Sequence, residues 1–198
     1  MQSLSYGDKV ILTLYQGFYG EKYHSDISAS TDDMTCEHVM AQKMCYLLSL
    51  KGFRIDGFEY TWNTFGPYSP GLQANLRSLD ARNDLAIQFY AEQQKLAAPF
   101  QREINNLYAN ARLDGEQLGS LIEGLEIPEK KKQKRNWMEL LGSIAYISHT
   151  VYPHGPFSWV QEELFSRKSQ FNNQEQNIKG WKILDHLELL SVGARMDV

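Results

Sequence analysis

Six residues, Phe65-Gly66-Pro67-Tyr68-Ser69-Pro70, restrict what this chain can build more than any other stretch. Before them, Phe58, Tyr60 and Trp62 alternate with Glu59, Thr61 and Asn63, the period of a half-buried strand. After them, Leu72, Leu76 and Leu79 recur at helical spacing and give a short helix one apolar face. The corner between is set by its residue types. Gly66 is free to take positive φ, Pro67 fixes its own φ, and Ser69 is placed to cap the helix with Pro70 at its first position.

The flanking sequence extends this into a plan. A first helix is expected from Asp8, as N-cap, through Val10, Ile11, Leu12, Leu14 and Tyr15, giving out between Gly17 and Gly20. The polar stretch from Glu21 to Asp33 reads as a loop. A second helix follows from Met34 to Lys51, capped by Asp33 or Thr35, with Cys36, Val39, Met40, Met44, Leu47 and Leu48 on one stripe and Gly52 as its stop. Beyond the helix after Pro70, Asn83-Asp84 reads as a turn and Leu85 to Tyr90 as a second strand, which would pair with the first as a wing. The fold expected is mainly α: a winged-helix-like N-terminal unit with a two-stranded β wing over 1–92, followed by a helical bundle over 93–198 packed on it.

In that second part, Pro99 opens a helix carrying Phe100, Ile104, Leu107, Tyr108 and Ala111, and a short one carries Leu118, Leu121, Ile122 and Leu125. Trp137, Leu140, Leu141, Ile144, Ala145 and Ser148 form a 3.6-residue stripe, preceded by a basic run and followed by a loop from His149 to Gly155. Ser158 with Gln161, and Asn172 with Glu175, have the spacing of capping boxes for the last two helices, and Gly193 marks the expected end. His154-Gly155-Pro156-Phe157-Ser158 echoes the first corner. Without likeness in the flanking helices, this reads as reuse of one helix-entry turn.

A net charge of −4 over 198 residues argues against a chain built to coat nucleic acid or anionic lipid. No apolar run approaches the ~18–20 residues that span a bilayer, and Met1 to Ser5 lacks the basic start of a secretion signal, so no membrane partner and a cytoplasmic location are expected. Cys36 and Cys45, nine residues apart on one helix, would lie roughly 13 Å apart along its axis, too far for a disulfide.

Catalytic patterns are sparse. Cys36 with His38 and His149 with His154 do not make the convergent ligand pairs that zinc requires. Ser69 and Ser158 follow Gly-Pro turns without a Gly-x-Ser-x-Gly elbow and are better read as helix caps. There is no glycine-rich phosphate loop. No catalytic residue, cofactor or metal is therefore expected.

Two surfaces remain. Trp62, Phe65, Gly66, Pro67 and Tyr68 at the corner form an aromatic cluster suited to anchoring a protein partner. As an alternative, Gln73, Asn75 and Arg77 lie off the leucine stripe of the following helix, where a winged helix reads bases. Lys131, Lys132, Lys134 and Arg135 in the basic run could hold phosphates, although like charge at a helix start favours a solvated connection.

Met40-Ala-Gln-Lys-Met-Cys-Tyr-Leu-Leu-Ser-Leu-Lys-Gly52, the aromatic strand, Trp62-Asn-Thr-Phe-Gly-Pro-Tyr-Ser-Pro70 and Leu72 together resemble the Panacea (SocA-like) antitoxin domain. The likeness is closer still to its uncharacterised bacterial and phage-associated relatives with a Tyr-Gly-Pro-Tyr-Ser turn. It runs from about Met34 to Tyr90, with a looser likeness through Trp137-Met-Glu-Leu-Leu-Gly-Ser-Ile144 and the last two helices. Phe65 stands where the family more often has Tyr, and the Glu21–Asp33 loop is longer than its pattern. The resemblance implies a mostly helical cytoplasmic protein that binds another protein, often a toxin encoded beside it, or acts as a proteolytic adaptor. Phage-borne members would suit defence or counter-defence. It attaches no catalytic residues.

Overall fold

The computed structural model describes residues 3–23, 35–53, 58–95 and 115–198. Helix α1 (Tyr6–Tyr19) starts earlier than its sequence suggests, because Asp8 is not the cap but the third residue of a capping box. The Asp8 amide donates to Ser5 Oγ at 3.1 Å, and the Ser5 amide donates to Asp8 Oδ2 at 2.8 Å. Helix α2 (Cys36–Leu50), capped by Thr35, is buried on every side from Glu37 to Leu48, which makes it the central element of the core.

The two-stranded sheet is a tight antiparallel hairpin, β1 (Thr61–Asn63) and β2 (Gly66–Tyr68), with Trp62 opposite Pro67. Helix α3 (Pro70–Asp80) follows at once, with Ser69 as N-cap and Pro70 in its first turn. The second wing strand expected at Leu85–Tyr90 is instead part of helix α4 (Asn83–Lys95). Two periods compete in that segment. Alternation of Leu85, Ile87 and Phe89 suggests a strand, but it is Ala86, Phe89 and Tyr90, at helical spacing, that are buried, while Ile87 is 54% exposed. The sheet therefore closes within residues 61–68, and the helix–strand–turn–helix–strand plan loses its last strand.

The helix expected at Pro99–Ala111 lies outside the described residues. Then come α5 (Gly115–Gly124) and α6 (Lys131–Tyr146), which runs on into a π-helical turn, Ile147–Val151, where a loop was expected. The basic run is no flexible connection, for all of it beyond Lys130 is helical. Helix α7 (Phe157–Arg167) has Pro156 as N-cap, and a 3-10 turn (Ser169–Phe171) precedes α8 (Gln174–His186). The cap of α8 is Asn173 rather than Asn172, and the helix stops well before Gly193. Ser158 caps nothing, since its amide and hydroxyl both donate to the Asp197 carboxylate.

Helices α2 and α6 pack together at the centre, and α6 carries the hairpin on one side and α8 on another. One cluster of buried apolar side chains runs from Leu4 to Leu190, so segments 1–92 and 93–198 share a core. Among the described residues no helix is long and apolar enough to cross a membrane.

Candidate partner-binding corner

The corner sits on buried polar groups supplied by α2, α6 and the end of α7. Helix α2 places Gln42 and Lys43 beneath it. The Ser69 amide donates to Gln42 Oε1 at 2.9 Å, and Gln42 Nε2 donates back to the Ser69 carbonyl at 3.0 Å, locking the cap residue of α3 through both backbone groups. Lys43 Nζ donates to the Pro67 carbonyl at 2.6 Å, with its side chain wholly buried. Helix α6 leaves room for that side chain at Gly142, where a Cβ would meet Lys43 Cδ at 2.9 Å.

A second ammonium holds the other end of the hairpin turn. Lys168, just past α7, donates to the carbonyl of the exposed Thr64 at 2.7 Å and, in a buried pair, to Glu139 Oε1 at 2.5 Å. Burial pushes the Lys43 ammonium down to about 7, with the positive charge of Lys168 adding to the push and Glu139 opposing it. Burial also lowers Lys168, against the pull of Glu139. Two lysines thus fasten two backbone carbonyls of one hairpin, and one carboxylate serves them. Gly66 closes against this underside. Its φ is +86°, and a Cβ there would meet Ser143 Oγ at 2.6 Å, a buried hydroxyl without a hydrogen-bond partner among the described residues.

On the outer side the five expected anchors divide. Gly66 and Pro67 are buried, whereas Trp62, Phe65 and Tyr68 are half-exposed. The Trp62 ring lies 5.6 Å from Tyr146 and carries the Arg167 guanidinium at 4.7 Å and the Lys168 ammonium at 5.5 Å from its centroid. Tyr46, against Tyr60 at 5.1 Å and Tyr146 at 6.0 Å, completes an aromatic base beneath it. The corner is therefore a stiff mount with three accessible rings.

The residues of the nucleic-acid alternative are dispersed. Gln73, 3% exposed, donates through Nε2 to His38 Nδ1 at 3.0 Å. Lys134 is buried and donates to the Tyr19 carbonyl at 2.7 Å and to Glu21 at 3.2 Å. Lys131 is paired with Glu37; desolvation of its ammonium is outweighed by that carboxylate, and its pKa is raised. Arg135 bonds the neighbouring Asn136 side chain, Asn75 is half-buried, and Lys132 and Arg77 face solvent. Gln73 and Lys134 thus have no route to a base edge or a phosphate.

One constellation looks catalytic at first sight. His38 Nε2 lies 2.8 Å from Asp80 Oδ2, and Tyr23 Oη donates to Asp80 Oδ1 at 2.8 Å. The hydrogen bonds assign the tautomer: Nε2 carries the proton toward the carboxylate, and Nδ1 accepts from Gln73, whose Oε1 faces Gln42 Nε2 at 3.5 Å. Both ring nitrogens of the buried His38 are engaged, and the network ties the segment after α1, through Tyr23, to α2 and α3. Among the described residues no three His, Cys, Asp or Glu side chains are grouped to hold a metal. His149 contacts the Leu189 carbonyl, and His154 the Val192 carbonyl. The Cys36 and Cys45 thiols are free, and burial pushes the latter up to about 12, an unreactive value. An open groove of about 760 Å³ between α5 and α8 is lined by side chains of both charge signs, including the Lys179–Glu126 pair.

Sequence reasoning missed Lys43, Glu139 and Lys168. A signal existed for the first: Lys43 follows Val39 by four residues and Met40 by three, so it stands on the apolar stripe of α2. It missed Trp159 as well, a 55% exposed ring on α7. Compared with models of known families, with curated proteins and with solved structures, the chain finds no match.

Proposed function

We propose that this chain is a non-catalytic protein-interaction module, antitoxin-like or regulatory, whose partner docks on the corner formed by Trp62, Phe65 and Tyr68. The observation that carries the reading is the double fastening of the hairpin. Lys43 and Lys168, both buried, hold the Pro67 and Thr64 carbonyls from below. Holding two desolvated ammonium groups costs stability, and what it secures is the fixed presentation of three rings. Pre-organised aromatic anchors are what a protein interface uses, since little side-chain entropy is lost on binding. The His38–Asp80 pair reads as structural, because each ring nitrogen of His38 is bonded within the fold. The likeness to the Panacea domain points the same way and suggests, for a cytoplasmic chain of bacterial or phage origin, a toxin encoded beside it as partner.

The test is co-purification with the product of the adjacent reading frame. Tyr68→Ala or Phe65→Ala should abolish recovery while thermal unfolding stays cooperative. Undiminished recovery with both variants would remove the corner from the interface. The rival, a duplex-DNA regulator using Asn75, Arg77 and Lys132, predicts binding at low salt that falls steeply as salt rises. No binding at low salt excludes it.

A further inference from the structure

Resting on that protein-interaction reading, we infer that the partner presents a carboxylate, an Asp, a Glu or a chain terminus beside an apolar residue, to Arg167. The outer face of α7 carries Trp159, Glu163 and Arg167 at intervals of four, a stripe about 12 Å long at 1.5 Å per residue. Contacts make it continuous. Trp159 lies 5.8 Å from the Tyr152 ring in an edge-on arrangement, and Tyr152 Oη donates to Glu163 Oε2 at 3.5 Å. Arg167 Nε donates to Glu163 Oε1 at 2.6 Å, and the guanidinium lies over Trp62 at 4.7 Å. The stripe therefore joins the hairpin corner at one end and an exposed indole at the other.

Arg167 is the centre of this ridge. Its Nε is engaged by Glu163 and its planar face by Trp62, so the guanidinium is fixed in position. Its two Nη groups make no hydrogen bond to any described residue, and its side chain remains 30% exposed. A fixed fork with two outward N–H edges matches a carboxylate bidentately, a geometry that an ammonium does not offer. The nearby charges agree. Lys168 lies under the same indole, and its ammonium sits in the field of Arg135 as well as of Glu139. Glu163, its acid already shared with Arg167 and Tyr152, is the one carboxylate on this stripe. Trp159 and Trp62, on either side, supply apolar seats. The occupant is thus an acidic–apolar segment of a protein.

Selection from a displayed library of random twelve-residue peptides, run in parallel on the full chain and on its Arg167→Gln variant, tests this. The wild-type chain should enrich peptides with Asp or Glu next to an apolar residue, and Arg167→Gln should lose the acid while retaining the apolar preference. For the best synthetic peptide, Arg167→Gln should weaken binding at least tenfold, Trp159→Ala should weaken it severalfold, and Arg167→Lys should fail to restore it. Changing the peptide's acid to its amide should cost the wild type the same factor and the Arg167→Gln chain nothing. Peptides without acidic enrichment, or enrichment that survives Arg167→Gln, overturn the inference. If such peptides are still displaced by Tyr68→Ala, the docking corner stands and only the carboxylate is wrong. If neither chain selects any peptide, both fail.

Discussion

Gly66-Pro67-Tyr68-Ser69 and Gly155-Pro156-Phe157-Ser158 share a pattern and do not share a structure. In the first, Gly66 takes φ +86°, Pro67 sits in a strand, Ser69 caps the helix and Tyr68 stays half-exposed. In the second, the left-handed residue is His154 at φ +66°, one position earlier, and Pro156 is the N-cap. Phe157, already in the helix, is wholly buried against Trp181 at 5.2 Å. The helix thus begins two residues earlier relative to the motif. Tertiary partners decide this: Lys43 takes the Pro67 carbonyl, whereas the Phe157 amide donates to the Arg195 carbonyl at 2.9 Å. The four letters encode helix entry, and what surrounds them decides which ring is held in and which is held out.

The aromatic position should break the equivalence most sharply. Phe157→Ala should cost about 3–5 kcal/mol, the usual loss for a buried aromatic, whereas Tyr68→Ala should cost no more than about 1 kcal/mol. Urea unfolding of the two variants measures both, and equal losses would make the turns equivalent.

Next is Gly66→Ala, which combines left-handed strain with the Ser143 contact and should cost about 2–4 kcal/mol. Ser143→Ala alone removes a buried hydroxyl that lacks a partner, so it should be nearly neutral, and in the double variant it should recover part of the loss. Gly155→Ala offers no such rescue, because its Cβ would also meet the Tyr152 backbone carbonyl at 3.0 Å.

A pH profile comes third. The folded-state value of Lys43 is about 7, against about 10.4 in an unfolded chain. Below pH 7 both states are protonated and the full cost of burying the charge is present. Between pH 7 and 10 the unfolded state binds more protons, so stability rises with pH, by at most about 1.4 kcal/mol per unit. Lys43→Met, similar in volume, should flatten that rise in unfolding midpoints taken at pH 7, 8 and 9.

The smallest contrast is between the serines. Ser69→Ala removes a true cap and should cost about 1 kcal/mol, while Ser158→Ala, which only frees the Asp197 carboxylate at the surface, should lower the melting midpoint less.

What the sequence made legible was local. Ser69, Pro70 and the leucine spacing placed α3, and the stripe from Trp137 to Ser148 placed α6, because caps and periodicity act within a few residues. The false strand at Leu85–Tyr90 arose where two periods fit equally well and only packing of Phe89 and Tyr90 could choose. Trp62, Phe65 and Tyr68 were visible as candidates from composition alone. The lysines beneath them were not, because a buried ammonium is defined by carbonyls far away in the chain: Lys168 meets Thr64 across 104 positions. Trp159 had a signal that went unused, since it falls off the face that Phe157, Val160 and Leu164 turn to the core.

The π-helical turn at Ile147–Val151, closed by the Tyr152 amide donating to the Ile147 carbonyl at 2.9 Å, is in effect an α-helix carrying one surplus residue. Excising a single residue there would turn the exit from α6 by roughly 100°, a change the Tyr152–Pro156 connection would have to absorb for α7 to keep its seat. The strain would fall on Tyr152, whose contacts to Trp159 and Glu163 fasten the far end of the α7 stripe.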